Sequence, residues 1–167
     1  KLLNSNIYKK FGDKSTLEKY HVDLTFKAIR KFKLFKKINK VQKNTLDTII
    51  EKSILATDMA NHFNHIQKFK KLGNKVCNEE NIIFLCNYLV HSADLTAQSL
   101  SLNKALKWGK KIQQEIRNQE LTMGKKPLHD NKKFYKIQAH FLKKFILPLF
   151  ENLVKIFPEL KNRTQNI

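Results

Sequence analysis

Several residues in this chain have types and spacing that could do chemistry. Asp94 closes an otherwise apolar run, Val90-His91-Ser92-Ala93-Asp94-Leu95. A carboxylate beside a buried helix end is paired, hydrogen-bonded or bound to a metal, and a capping or ion-paired Asp is the commoner outcome. Asp58 and His62 lie one helical turn apart, and His62 with His65 forms an HxxH pair. Such spacing puts side chains on one helix face, where a metal could be held if further ligands stood nearby. The dipeptide His129-Asp130 follows Pro127-Leu128 and opens a helix, so Asp130 reads better as an N-cap than as a metal motif. Gln138 stands three residues before Phe141 on the apolar side of the last helix. An amide beside an aromatic ring can recognise a heterocycle by two hydrogen bonds and stacking, although a core Gln bonded to backbone is the simpler reading.

The elements that must position these residues are helices. Only 4 Gly and 3 Pro punctuate 167 residues that carry 12 Phe, and so few breakers favour an all-α chain. Ser15-Thr16-Leu17-Glu18 has the form of a capping box ahead of Leu17, His21, Leu24 and Ala28 at helical spacing. The pattern predicts a second helix over about 45–64 and a polar connector over 68–80 with Gly73 and Asn74 as breakers. A third helix, about 78–94, is apolar nearly all round and should be central. A fourth, about 102–118, aligns Ala105, Trp108, Ile112 and Ile116, and a loop around Gly124 follows. The last helix, about 131–157, contains Pro148, which should kink it.

Length fits one domain with a real core, and no run of about twenty apolar residues could cross a bilayer. The first residue is Lys and no secretory signal is visible, which reads as an internal cut in a longer protein. Cys77 and Cys86 read as two reduced thiols. These points suggest a cytoplasmic protein, with room for attachment to an organelle or the cytoskeleton. The formal charge of +19 is densest from Arg30 to Lys40, where five Lys and one Arg interleave with Phe32, Leu34, Phe35 and Ile38. That pattern could meet a phosphate backbone or an anionic membrane. Lysines nevertheless spread along the whole chain, so charge alone names no partner and argues only weakly for nucleic acid.

Taken in order, these stretches resemble the second half of the class I 3′,5′-cyclic nucleotide phosphodiesterase catalytic domain. Asp13-Lys14-Ser15-Thr16-Leu17-Glu18-Lys19-Tyr20-His21 is similar to the family's NDxSxLENHH. Ile54-Leu55-Ala56-Thr57-Asp58-Met59-Ala60-Asn61-His62 is similar to (V/I)LATDMxxH, and His91-Ser92-Ala93-Asp94-Leu95 to H(C/A/S)ADL. Trp108 and Ile112 follow that Asp at the family's spacing. Pro127-Leu128-His129-Asp130 resembles SPMCD, while Gln138, Phe141 and Pro148-Leu149-Phe150-Glu151 follow the closing order Q..F and PLWE.

The resemblance implies an all-helical bundle that hydrolyses cAMP or cGMP, in signal transduction, with two divalent ions, Zn2+ and Mg2+ or Mn2+. In the family these ions activate a hydroxide for in-line attack and offset charge on the phosphoryl oxygens. By position Asp94 would ligate a metal, with Glu18 and Asp58 as outer-shell acids. Gln138 would bond the base, Phe141 and Ile112 would clasp its faces, and Met59 would line the phosphate side. Neither HNxxH nor HDxxHxG occurs in residues 1–167, so the general-acid histidine and most metal ligands would lie outside this partial domain. One Asp cannot hold two divalent ions against water, so the chain alone should be inactive and should pair with the remainder of its catalytic domain. Ala97 and Ala105 stand where many members carry Asn and Tyr, which leaves base preference open. The competing expectation is a degenerate, non-catalytic domain that serves as a scaffold in a larger protein assembly.

Overall fold

The computed structural model describes residues 5–72, 78–126 and 131–167. Its elements are helices: α1 Asn6–Phe11, α2 Thr16–Lys31, α3 Lys40–Leu55, α4 His62–Leu72, α5 Glu79–Asp94, α6 Leu102–Thr122, α7 Asn131–Phe141, α8 Leu147–Val154 and α9 Lys161–Gln165. No strand occurs among the described residues, and the fold is all-α as the scarcity of breakers implies. The chain divides into two compact units, Lys1–His91 and Ser92–Ile167.

In the first unit α1 lies on α2 and α2 on α3. Ser5 caps α1 by accepting a bond from the Tyr8 N–H at 3.2 Å, and Gly12, at φ 80°, turns the chain out of it. That left-handed conformation is one glycine adopts without a steric penalty. The Ser15 capping box does not form. Ser15 itself is left-handed at φ 49°, and its hydroxyl donates to Asp58 Oδ2 at 2.7 Å. The capping box of this unit is at α3 instead, where Asn39 Oδ1 accepts from the Gln42 N–H at 2.9 Å and Gln42 Oε1 accepts from the Asn39 N–H at 3.2 Å. Between α2 and α3 the Leu34 N–H reaches back to the Ile29 carbonyl, with Lys33 at φ 53°. This is a helix end of the Schellman type with lysine where glycine is usual.

The helix expected over 45–64 is two helices. It breaks at Ala56–Asp58, where Asp58 Oδ1 accepts from the Ala60 N–H at 2.9 Å and caps a 3-10 turn over Met59–Asn61. A strong local cap outcompetes apolar periodicity that would otherwise run on. The expected connector begins later than predicted, because α4 continues to Leu72; Gly73, Asn74 and Cys77 lie outside the described residues. Helices α4 and α5 meet through rings, with Phe69 and Tyr88 centroids 4.0 Å apart and Phe84 beside both. Phe69, Phe84 and Tyr88 are buried, and each such side chain contributes about 1.5–3 kcal/mol by leaving water. Ser53 on α3 donates to Asn87 on α5 at 3.1 Å, which satisfies a buried hydroxyl.

The second unit is built on α8, whose Leu149, Phe150 and Leu153 are buried. The long C-terminal helix expected over 131–157 ends at Val154 and carries a π-turn, Leu142–Ile146, between α7 and α8. Pro148 has no N–H to offer the carbonyl four residues before it. The wider turn just upstream accommodates that loss. At the other end α6 runs to Thr122, beyond the predicted Asn118. A 3-10 turn, Thr96–Ser99, follows α5. It is fastened where the Ser99 hydroxyl donates to the Thr96 carbonyl at 3.0 Å and Asn166 Nδ2 donates to the Ser99 carbonyl at 3.1 Å.

Candidate functional site

Within the second unit, α6, α7 and the 3-10 turn after α5 enclose a cavity of about 540 Å³, lined by Gln98, Gly109, Ile112, Ile116, Gln138 and Phe141 among others. Gly109, Ile112 and Ile116 recur at three and four along α6, so they share one face. Gln138 and Phe141 do the same on α7. Gly109 is buried, and a β-carbon there would stand only 3.1 Å from Gln138 Oε1 and 3.2 Å from its Cδ. The missing side chain is what leaves room for the amide. Gln98, 3% exposed, accepts a hydrogen bond from Gln138 Nε2. That bond holds the amide plane and uses one of its two N–H donors.

The cavity wall mixes apolar with polar. Ile112 and Ile116 are exposed rather than packed into a core, so the apolar face of α6 lines the cavity instead of closing it. Arg117, Glu120 and Lys133 add charge, and Arg117 Nε is shielded from water with no hydrogen-bond partner among the described residues. The cavity's size and its few convergent polar groups are those of a small-molecule site.

The sequence-predicted residues are therefore only partly assembled. Gln138, Phe141 and Ile112 line this one cavity. Asp94 is the exposed last residue of α5 and is not on the cavity wall. Glu18, Asp58 and Met59 belong to the first unit. Glu18 sits half-buried in the first turn of α2. Asp58 accepts from Ser15 and from the Ala60 N–H, and these two bonds, the serine's first, hold its carboxyl below the usual carboxylate range. Met59 is exposed at the start of the 3-10 turn. Asp130 and the stretch Pro127-Leu128-His129-Asp130 lie outside the described residues.

The HxxH pair does not make a metal site with Asp58, because the helix break puts Asp58 outside α4. His62 instead meets His91, its Nδ1 lying 2.9 Å from His91 Nε2, with both rings excluded from solvent. His65 completes a cluster, its ring centroid 5.6 Å from that of His91. Burial, then the nearby charges of His62 and His65, push His91 down to about 4, opposed by the Ala56 backbone. Burial, then Lys68, lowers His65 as well. No group of three or more His, Cys, Asp or Glu among the described residues could hold a metal ion.

Sequence reasoning missed Gln98 and the His62–His91 pair. Their partners are 40 and 29 residues away, and no local pattern reports such a pairing.

Fold and cavity together define an all-helical protein with an amide and an aromatic ring on the wall of a cavity of small-molecule size. Residues 2–167 match the family model described as 3′5′-cyclic nucleotide phosphodiesterase, and the chain belongs to that family. It is 30% identical over 155 residues to the cGMP-specific 3′,5′-cyclic phosphodiesterase gamma of Plasmodium yoelii, covering 86% of this chain and 20% of the relative. It is also 30% identical over 161 residues to the dual 3′,5′-cyclic-AMP and -GMP phosphodiesterase beta of Plasmodium falciparum, covering 87% and 14%. The phosphodiesterase domain of the RhoPDE fusion protein from the choanoflagellate Salpingoeca rosetta has the same fold. Its TM-score is 0.87 at 24% identity, over 98% of this chain and 56% of that one. The chain thus spans about a fifth or less of these curated relatives and about half of the solved domain.

Proposed function

We propose that the intact protein hydrolyses 3′,5′-cyclic nucleotides to 5′-monophosphates, and that this chain supplies the base pocket and one metal-directed carboxylate. The observation that carries this reading is the convergence of Gln138, Phe141 and Ile112 on one cavity. Phe141 stacks on one face of the base and Ile112 presses on the other. The Gln138 amide bonds the base edge, with its plane held by Gln98. An amide so held has both a donor and an acceptor available, so it can meet either a purine with an exocyclic amine or one with a carbonyl.

The family is metal-dependent, and divalent ions supply a nucleophile at neutral pH and offset charge on the phosphoryl oxygens. Asp94 fits as a single ligand: its carboxylate is exposed and no hydrogen bond or ion pair within the described residues occupies it. The described residues contain no complete metal-binding group, so further donors come from elsewhere in the catalytic domain. This motivates the expectation that residues 1–167 alone do not turn over. Asp58 acts within its own unit as a support for Glu18, the outer-shell acid. By accepting the Ser15 hydroxyl it fixes the start of α2, which carries Glu18 three residues on.

The test is hydrolysis of cAMP and cGMP by the intact protein with Zn2+ and Mg2+. Gln138→Ala is expected to raise KM about tenfold to a hundredfold, the worth of hydrogen bonds lost in a desolvated pocket. Gln98→Leu should raise KM by about tenfold or less with kcat nearly unchanged, because it frees the amide without removing it. A folded protein that turns over neither nucleotide would sink the reading and leave a scaffold role. Activity indifferent to Gln138→Ala would remove the amide from the base site.

A further inference from the structure

The tip joining α2 to α3 is the most concentrated positive segment of the chain, and no step of nucleotide binding uses it. Between Asp23 and Asp47 lie eight cations and no acid. The outermost two are paired, Lys27 with Asp23 at 2.9 Å and Lys43 with Asp47 at 2.6 Å. The inner six are Arg30, Lys31, Lys33, Lys36, Lys37 and Lys40, and all are exposed. A merely solvated lysine face keeps apolar side chains beneath it. Here they stand out with the charges: Phe32 is 67% exposed, Leu34 48%, Phe35 45% and Val41 76%.

The backbone presents these side chains rather than leaving them to chance. Ile29 is the buried residue of α2 and anchors its end. Its carbonyl receives the Leu34 N–H at 2.9 Å, which closes the helix and turns the chain with Lys33 left-handed. A second left-handed residue, Phe35 at φ 60°, turns it again. A bulky residue rarely adopts that conformation, and it persists where the local structure requires it. The result is a tip that displays rings and cations together.

We propose that residues 30–41 dock on an anionic lipid bilayer surface. Cations near such a surface each add to the attraction, and Phe, Leu and Val gain by entering the boundary between headgroups and acyl chains. Charge alone would suit any polyanion. The apolar members decide between occupants, because a phosphate backbone offers Leu34 and Val41 nothing to enter, whereas a bilayer takes all four. No helix among the described residues is long and apolar enough to cross a membrane, so this contact is peripheral.

The experiment is co-sedimentation of the intact protein with phosphatidylcholine vesicles, with and without phosphatidylserine, at moderate salt, beside a duplex RNA binding assay. Binding is expected only to the phosphatidylserine vesicles. It should weaken about tenfold or more in Phe32→Ser/Phe35→Ser and again in Lys33→Glu/Lys36→Glu, with the thermal midpoint unchanged in both. Absence of vesicle binding overturns the proposal, and so does binding that neither variant alters. Loss confined to the charge variant, with comparable affinity for RNA, would mean a general polyanion site and also overturn it. A serine variant that lowers the thermal midpoint in a protein that ignores vesicles would show the tip covered by the protein itself.

Discussion

Replacing Asp94 by alanine in the intact protein is expected to lower cyclic nucleotide turnover about a thousandfold or more, with no loss of stability in the metal-free protein. The first half of that expectation follows from the proposed role. A carboxylate that helps hold a catalytic ion supports several kcal/mol of transition-state stabilisation, and about 1.4 kcal/mol is a factor of ten in rate. The second half follows from where the residue sits. Asp94 is the last residue of α5, where the helix dipole places partial negative charge. An acid there is unfavourable by about 0.3–1 kcal/mol at a surface position. Asp94 is exposed, and no described residue compensates it. With metal removed by chelator, its loss should therefore leave the thermal midpoint unchanged or raise it slightly, the pattern expected of a residue kept for function at some cost to stability. Hydrolysis rates and thermal melts of Asp94→Ala decide the matter. Unimpaired turnover would take Asp94 out of the metal site. Lost turnover with a lower midpoint in the metal-free protein would make the residue structural, whereas a fall seen only with metal present is what the loss of a ligand gives.

Much of this architecture is legible from residue order, for definite reasons. The apolar runs that form α5 and α6 place both helices to within a few residues at most, because their stripes are long and uninterrupted. Gln138 and Phe141 are readable as a pair because three residues on a helix bring them to one face, and both line the one cavity. Boundaries decided by side chains reaching backbone fared differently. Ser15 has the right residue type and a Glu three residues on, yet its hydroxyl goes to Asp58, 43 residues away. The capping box that does form, Asn39-Lys40-Val41-Gln42, has an equally readable N-x-x-Q pattern, hidden inside a basic stretch that looks like a continuous charge run. The break at Ala56–Asp58 was invisible because apolar residues recur at helical spacing on both sides of it. The π-turn before Pro148 marks a similar limit. A kink is foreseeable from proline, but the choice of a widened turn depends on how Ile146, Leu149 and Phe150 bury together.

The buried histidine cluster leads to the other large effect, a loss of stability in mild acid. His91 and His62 lie 2.9 Å apart, nitrogen to nitrogen. One ring must donate and the other accept, so a proton added to the accepting nitrogen breaks the contact and places a charge in a desolvated site. Burial first, and then the neighbouring histidines, lower His91 from an ordinary value of 6.5 to about 4. The sign follows from proton counts. Between those values the unfolded chain binds a proton that the folded chain refuses, so acid favours unfolding. The stability this group protects is complete above about pH 6.5 and is lost as pH falls toward about 4, amounting to roughly 3 kcal/mol. Burial, and after it the charge of Lys68, lowers His65 too, which adds to the effect in the same direction. Urea unfolding between pH 7.5 and 4.5 should show this fall in the wild-type protein. In His91→Gln, which cannot charge, the curve should be flatter by most of that amount, though lower at neutral pH because the histidine contact is gone. Parallel curves for the two proteins would mean that His91 does not titrate with folding. The cluster would then act by packing alone, through the contacts that bring α4 and α5 together at Phe69 and Tyr88.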